Sequence, residues 1–189
     1  MELYLLRHGI AVPRGTPGFP NDDRPLTDDG RRKMRRASAG MSKILTDISC
    51  ILSSPLRRTA ETAEIVAEAL GMSDKICERA ELLPDAPVQG LKDLLIEFRD
   101  HRKLLLVGHG PTIGEFASGL IGASGTRIEF RKGGLCRIDI EPEISGSGML
   151  RWHFTPKHLR LLSRITIHEE KSPSRSSSVP RPARRRRGH

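Results

Sequence analysis

Short apolar runs alternate with amphipathic stretches along the chain. Leu3–Leu6 reads as a strand that stops abruptly at Arg7-His8-Gly9. Residues 28–45 then read as a helix, with Thr27 as its cap and Asp28-Asp29 suited to the positive end of the helix dipole. Ile48–Leu52 is a second short strand, ending in Ser53-Ser54-Pro55. Over residues 57–70, Ala60, Ala63, Val66, Ala67 and Leu70 recur at helical spacing, and Gly71 provides a stop. Residues 88–101 form another amphipathic stretch. Leu104–Val107 is a buried-strand run closed by Gly108-His109-Gly110-Pro111, and a helix follows to about Leu120. Leu135–Ile140 and Met149–Phe154 read as a pair of later strands around a Gly-Ser-Gly turn. Strand, polar loop and helix in repeated succession predict an α/β sheet with helices on both faces. No internal repeat interrupts that order.

At 189 residues and 21.0 kDa the chain suits one domain. Its apolar runs fall far short of the roughly 18 residues that span a bilayer. The opening Met1-Glu2-Leu3-Tyr4 has neither the basic head nor the apolar stretch of a secretory signal. Cys50, Cys77 and Cys136 are odd in number and lie far apart, which argues against a disulfide framework or a zinc ribbon. A reducing, cytoplasmic setting is expected. The net charge of +9 is unevenly spread. Lys171–His189 holds seven Lys/Arg and no acids, whereas the preceding residues hold 25 basic against 23 acidic. The chain therefore divides into a near-neutral domain, residues 1–165, and a Ser/Pro/Arg-rich tail, residues 166–189, expected to be disordered because it offers little apolar surface to bury. The Arg184–Arg187 run suits an acidic partner, a nucleic acid or an anionic membrane surface, and equally a solvated extension with no specific role.

In open α/β folds ligands bind beyond the carboxyl ends of the strands. Three such ends carry unusual residues: Arg7-His8, the segment Ser54 to Arg58, and His109. Each has an ordinary alternative when taken singly. A histidine after a strand is commonly a hydrogen-bonded loop residue, and arginines at a helix start can form a solvated face. Their coincidence at strand ends is what points to an anion site, because guanidinium groups present planar donor forks to phosphate oxygens.

These residues resemble the histidine phosphatase superfamily, which includes the phosphoglycerate mutases. The resemblance is carried in order by Leu5-Leu6-Arg7-His8-Gly9, by Arg24-Pro25-Leu26-Thr27 with Gly30, by Ser54-Pro55-Leu56-Arg57-Arg58 with Thr62, and by Val107-Gly108-His109. It covers residues 1 to 162 and implies a three-layer α/β/α sandwich around a mostly parallel sheet. Within the superfamily the chain is most similar to the SixA-type phosphohistidine phosphatases, which share its compact length and lack a large inserted cap. Little sequence follows the Gly71 stop from which a lid could be built.

The resemblance implies that His8 is the nucleophile and becomes a phosphohistidine that water then hydrolyses. Arg7, Arg58 and His109 match the residues that hold the phosphoryl oxygens. Of the adjacent arginines, Arg58 is chosen because it stands at the matching distance from Ser54 and four residues before Thr62. Arg24 and Thr27 are carried over as substrate contacts, and Arg24 reads equally as an ordinary loop arginine. Glu81 lies in the region where ester-hydrolysing relatives carry an acid, in surroundings that match poorly. No metal or cofactor is implied. The expected substrate is phosphohistidine on a partner protein. The alternatives are a small-molecule phosphomonoesterase acting on a sugar phosphate or nucleotide, and a non-catalytic module that binds phosphorylated proteins. A cysteine phosphatase is rejected, since six residues separate Cys50 from Arg57, one too many for a single anion-cradling loop.

Overall fold

In β1 (Glu2–Arg7) the pleat sends Leu3 and Leu5 to one face and Tyr4 and Leu6 to the other, and all four are buried. The same alternation runs through β4 (Lys103–Gly108), where Leu104 and Leu106 face one core and Leu105 and Val107 the other. Strands buried on both faces are near-continuous apolar runs, and that composition is what parallel sheets covered by helices require.

The computed structural model describes residues 1–123, 128–141 and 146–165, with the side chain of Asn21 excepted. The tail expected over 166–189 lies outside them. The remaining elements are α1 (Asp28–Met41), β2 (Cys50–Ser53), α2 (Arg57–Leu70), β3 (Ile76–Glu78), α3 (Val88–Glu97), α4 (Thr112–Leu120), β5 (Leu135–Asp139), β6 (Met149–Phe154) and α5 (Pro156–Leu162). The sheet order is β3-β2-β4-β1-β5-β6. The junctions from β3 to β1 are parallel, and β5 and β6 add antiparallel strands at the other edge. Helices α1, α2 and α5 contribute Met34, Val66 and Leu159 to one core, and α3 and α4 contribute Leu94 and Phe116 to the other. This is the expected three-layer arrangement. Among the described residues no helix is long and apolar enough to cross a membrane.

Register is what positions the site. Arg7 lies opposite Gly108, and Ser53 opposite Val107, so β1, β4 and β2 end level with one another. The residues that follow, His8, His109 and Ser54, therefore emerge side by side.

Several boundaries differ from the sequence pattern. The first helix stops at Met41 rather than continuing to residue 45, because the chain turns to bury Leu45 and Ile48 on its way into β2. The amphipathic stretch at 88–101 is helical only to Glu97, where Phe98 turns the chain toward β4. Two elements were not anticipated. β3 is a three-residue edge strand with exposed positions, so it carries no strong periodicity. α5 is seven residues long and is held by a Thr155 capping box with His158.

The α1–α5 contact depends on a missing side chain. A Cβ on Gly40 would lie 1.9 Å from the Leu159 carbonyl oxygen. Lys43 completes the junction by donating to the carbonyls of Leu162 and Ser163 at the end of α5 (3.0 and 3.1 Å). We expect Gly40→Ala to cost about 1–3 kcal/mol or more through overpacking. Gly119→Ala, in α4 with nothing within 4 Å of its added carbon, should instead stabilise by about 0.5–1 kcal/mol. Denaturant unfolding of the two variants checks both signs.

Candidate active site

The imidazoles of His8 and His109 stand 5.2 Å apart between ring centroids, and both side chains are buried. His8 Nδ1 lies 2.7 Å from the carbonyl oxygen of Gly9. A carbonyl only accepts, so Nδ1 carries the proton and Nε2 keeps its lone pair. The Gly9 amide donates to Thr62 Oγ1 (3.0 Å), and that hydroxyl donates to the Arg58 carbonyl (2.6 Å), tying the loop after β1 to α2. His109 Nε2 is 2.9 Å from Ser54 Oγ, across the ends of β4 and β2.

Around this pair the structure gathers Arg7 and Arg58. Arg7 donates from Nη1 to the Phe130 carbonyl (2.6 Å). Its guanidinium lies flat along the turn at Gly110, where an added Cβ would sit 2.8 Å from Cζ. Arg58 is 3% exposed and Arg57 is 53% exposed, pairing with Glu61 one turn along. Arg7 Nε, Arg58 Nε and His109 Nδ1 are buried with no hydrogen-bond partner among the described residues. An unpaired buried donor costs about 1–3 kcal/mol, so the two guanidinium Nε–H groups beside the imidazoles form a receptor for an anion bearing several acceptor oxygens.

The other candidates fall differently. Arg24 joins the edge of the cluster, but its guanidinium is spent on Asp22 Oδ1 (2.5 Å) and on the Val12 carbonyl. Thr27 Oγ1 accepts from the Gly30 amide (2.9 Å) and donates to the Ile10 carbonyl (3.3 Å), so its hydroxyl serves the helix cap. Glu81 lies in a short 3₁₀ turn, paired with Arg79 at 3.2 Å, and its pKa is lowered first by its own backbone amide and then by Arg79. A carboxyl held ionised is the reverse of a general acid. Cys50 is buried at the start of β2, at the opposite end of that strand from Ser54, and burial pushes its thiol up to about 12. Among the described residues no three His, Cys, Asp or Glu side chains converge as a metal site.

Two participants carry no sequence pattern. Asp22 receives Arg14 (3.2 Å), Arg24 (2.5 Å) and Arg58 (3.1 Å), while its carbonyl accepts Arg58 Nη1 (2.8 Å). These bonds, led by the one from Arg24, hold its carboxyl far below the usual range. Lys132 follows Phe130 on a segment whose Gly133 amide donates to the carbonyls of Arg7 and His8 (3.0 Å each). Its pKa is lowered by partial burial and then by Arg7, Arg24 and Arg58, which sets its ammonium within their field. The adjacent acids before Arg24 and the paired glycines after Lys132 are the only sequence signals for either.

The electrostatics follow from burial. His8 is pushed down to about 3, chiefly by desolvation, with Arg58, Arg7 and Lys132 acting in the same sense against the raising effect of the Gly9 bond. His109 is pushed down to about 2 by desolvation and then by His8, Arg58 and Arg7, partly offset by Asp22. Burial and the surrounding cations thus both favour the neutral form of the two rings.

Comparison with known proteins agrees with this geometry. Residues 3–82 match the histidine phosphatase superfamily (branch 1). An uncharacterized protein of Picosynechococcus sp. is 33% identical over 171 residues, covering 86% of this chain and 96% of its own length. Among solved structures, the protein histidine phosphatase SixA complexed with tungstate superposes with a TM-score of 0.74 at 23% identity, covering 84% of this chain and 99% of SixA. A mycobacterial glucosyl-3-phosphoglycerate phosphatase, in complex with inorganic phosphate, reaches 0.63 at 18% identity, covering 82% and 98%. With its motifs converging at the ends of β1, β2 and β4 and its sheet matching that of SixA, the chain belongs to the histidine phosphatase superfamily.

Proposed function

We propose that the protein is a phosphatase that removes the phosphoryl group from phosphohistidine on a partner protein. The observation that carries this reading is the His8 lone pair held beside the buried Nε groups of Arg7 and Arg58, which have no acceptor among the described residues. In the first step His8 Nε2 attacks phosphorus and the bond from phosphorus to the substrate nitrogen breaks. The substrate imidazole, protonated on its other nitrogen, leaves as a neutral ring. In the second step water attacks phosphorus, the bond to His8 Nε2 breaks with its electron pair returning to the ring, and dihydrogen phosphate departs with the water's oxygen and both of its protons. Arg7, Arg58 and His109 stabilise the charge on the phosphoryl oxygens in both steps. Asp22 positions Arg58 by engaging both of its terminal nitrogens, leaving Nε for the substrate.

The ionisation of the nearby carboxylates supports a P–N substrate. Glu81 and Asp22 are both held ionised, so neither has a proton to give an alkoxide leaving group at neutral pH. A protonated phosphoimidazole does not need that proton. The likeness in fold to SixA points the same way. A small-molecule phosphomonoesterase is the second reading, favoured by the likeness to the mycobacterial sugar-phosphate enzyme.

We expect one preparation to hydrolyse a phosphohistidine peptide faster than a sugar phosphate or an aryl phosphate. A preference for an ester of more than about tenfold, roughly 1.4 kcal/mol of barrier, would reverse the assignment. His8→Ala should abolish turnover and the acid-labile phosphoryl adduct while the fold persists. Truncation before Lys171 should leave catalysis intact, whereas a module that binds through its basic tail would lose its partner. Finally, tungstate carries negative charge without a proton of its own. Its entry should raise the histidine pKa values from their depressed state, so binding takes up protons near neutral pH and the uptake fades as the pH rises above the bound-state pKa. Calorimetry in buffers of different ionisation enthalpy reads this directly, and its disappearance in His109→Gln identifies the ring.

A further inference from the structure

Beside the catalytic crevice, on the face formed by α1 and α5, lies a groove of about 630 Å³. Its floor is apolar: Ile10, Met34, Ala37 and Pro156. Its rim carries Lys33, Arg131, Lys132, Lys157 and Arg160, and among the described residues no carboxylate lines it. Lys33 is engaged by Asp29 at 2.6 Å. For the other four, no carboxylate lies within ion-pair distance among the described residues. Residues 1–170 hold 25 basic against 23 acidic side chains, so this run of unanswered positive charge is a local departure from a near-neutral surface. One wall is the segment whose Gly133 amide donates to the Arg7 and His8 carbonyls. Lys132 belongs to that wall and also lies in the field of Arg7 and Arg58. The groove and the nucleophile thus share a piece of backbone.

We propose that this groove docks an acidic amphipathic segment of the phosphorylated partner protein. Such a segment would place apolar side chains on Met34 and Ala37 and carboxylates against the α5 and 131–132 rim. Charge complementarity selects an anionic occupant. The apolar floor selects a polypeptide over a nucleic acid, whose phosphodiester backbone brings no hydrophobic face to it. The identity of the occupant as the substrate protein rests on the reading given under Proposed function, and the existence of the groove's acidic ligand does not. Docking here would deliver the partner's phosphorylated side chain past Lys132 to His8 and would let the site choose among carriers.

The test uses Lys157→Glu combined with Arg160→Glu in the full chain, since neither residue belongs to the catalytic machinery. Thermal unfolding establishes that α5 remains in place. On a phosphohistidine-bearing protein with an acidic helix next to its phosphorylated site, kcat/KM should fall by more than about tenfold, mainly through KM. Turnover of phosphoimidazole should stay within about twofold of the parent. Equal losses on both substrates, or no loss on either, would overturn the proposal. Fluorescence anisotropy with a labelled amphipathic peptide of Glu and Leu provides an arm free of catalysis. The parent should bind it, the double variant should not, and a Gln-for-Glu peptide should bind neither. If that pattern holds while the parent fails to hydrolyse protein phosphohistidine, the groove stands and the substrate reading falls. A single-stranded oligonucleotide of equal charge that binds the parent as tightly as the acidic peptide, and is lost in the variant, would refute a protein occupant.

Discussion

Positive charge crowded around a neutral imidazole is the constraint on which the site rests. Arg7, Arg58 and Lys132 all act on His8, and the two arginines also act on His109. Such a cluster repels itself, and it persists only because each arginine is anchored on the side away from the centre. Arg7 is held by the Phe130 carbonyl and Arg58 by the carbonyl and carboxylate of Asp22. The anchors leave the buried Nε of each guanidinium without an acceptor among the described residues, an energetic deficit that an oxyanion relieves. This is preorganisation in the electrostatic sense: donors are fixed where charge will develop before the substrate arrives.

The same constraint explains why loops far apart in the chain are drawn together. The 12–24 loop is pinned through Arg24 to the Val12 carbonyl and through Asp22 to Arg58. The 130–134 segment is pinned to the strand end itself. Glu61 then joins α1 to α2 by accepting from the Leu26 amide and from Arg31, which steadies the loop from its other end. What looks like a set of unrelated surface ion pairs is a scaffold for Arg58. Being partly buried, these pairs are less screened by salt than exposed ones would be.

Much of this was readable beforehand. The strand ends at Arg7, Ser53 and Gly108 follow from apolar runs that break into polar residues, and the resemblance to the superfamily's motif, through Ser54 and Thr62, singled out Arg58, the arginine that is buried. Thr27 illustrates a residue read in two ways: its hydroxyl is occupied as a helix cap, which the local pattern also indicated. Glu81 was placed by region alone, and region does not determine which way a carboxylate faces. It faces Arg79.

By itself the sequence determined the order of the strands and helices apart from β3 and α5, the burial of β4, and the residue types brought to the strand ends, because these depend on local periodicity and on chain breaks. Tertiary structure alone decided the contributions of Asp22 and Lys132, the cationic groove between α1 and α5, and the lowering of both histidine pKa values. Those depend on desolvation and on charges meeting across loops that have no repeat, so they exist only once the sheet register has set the chain's distant segments against one another.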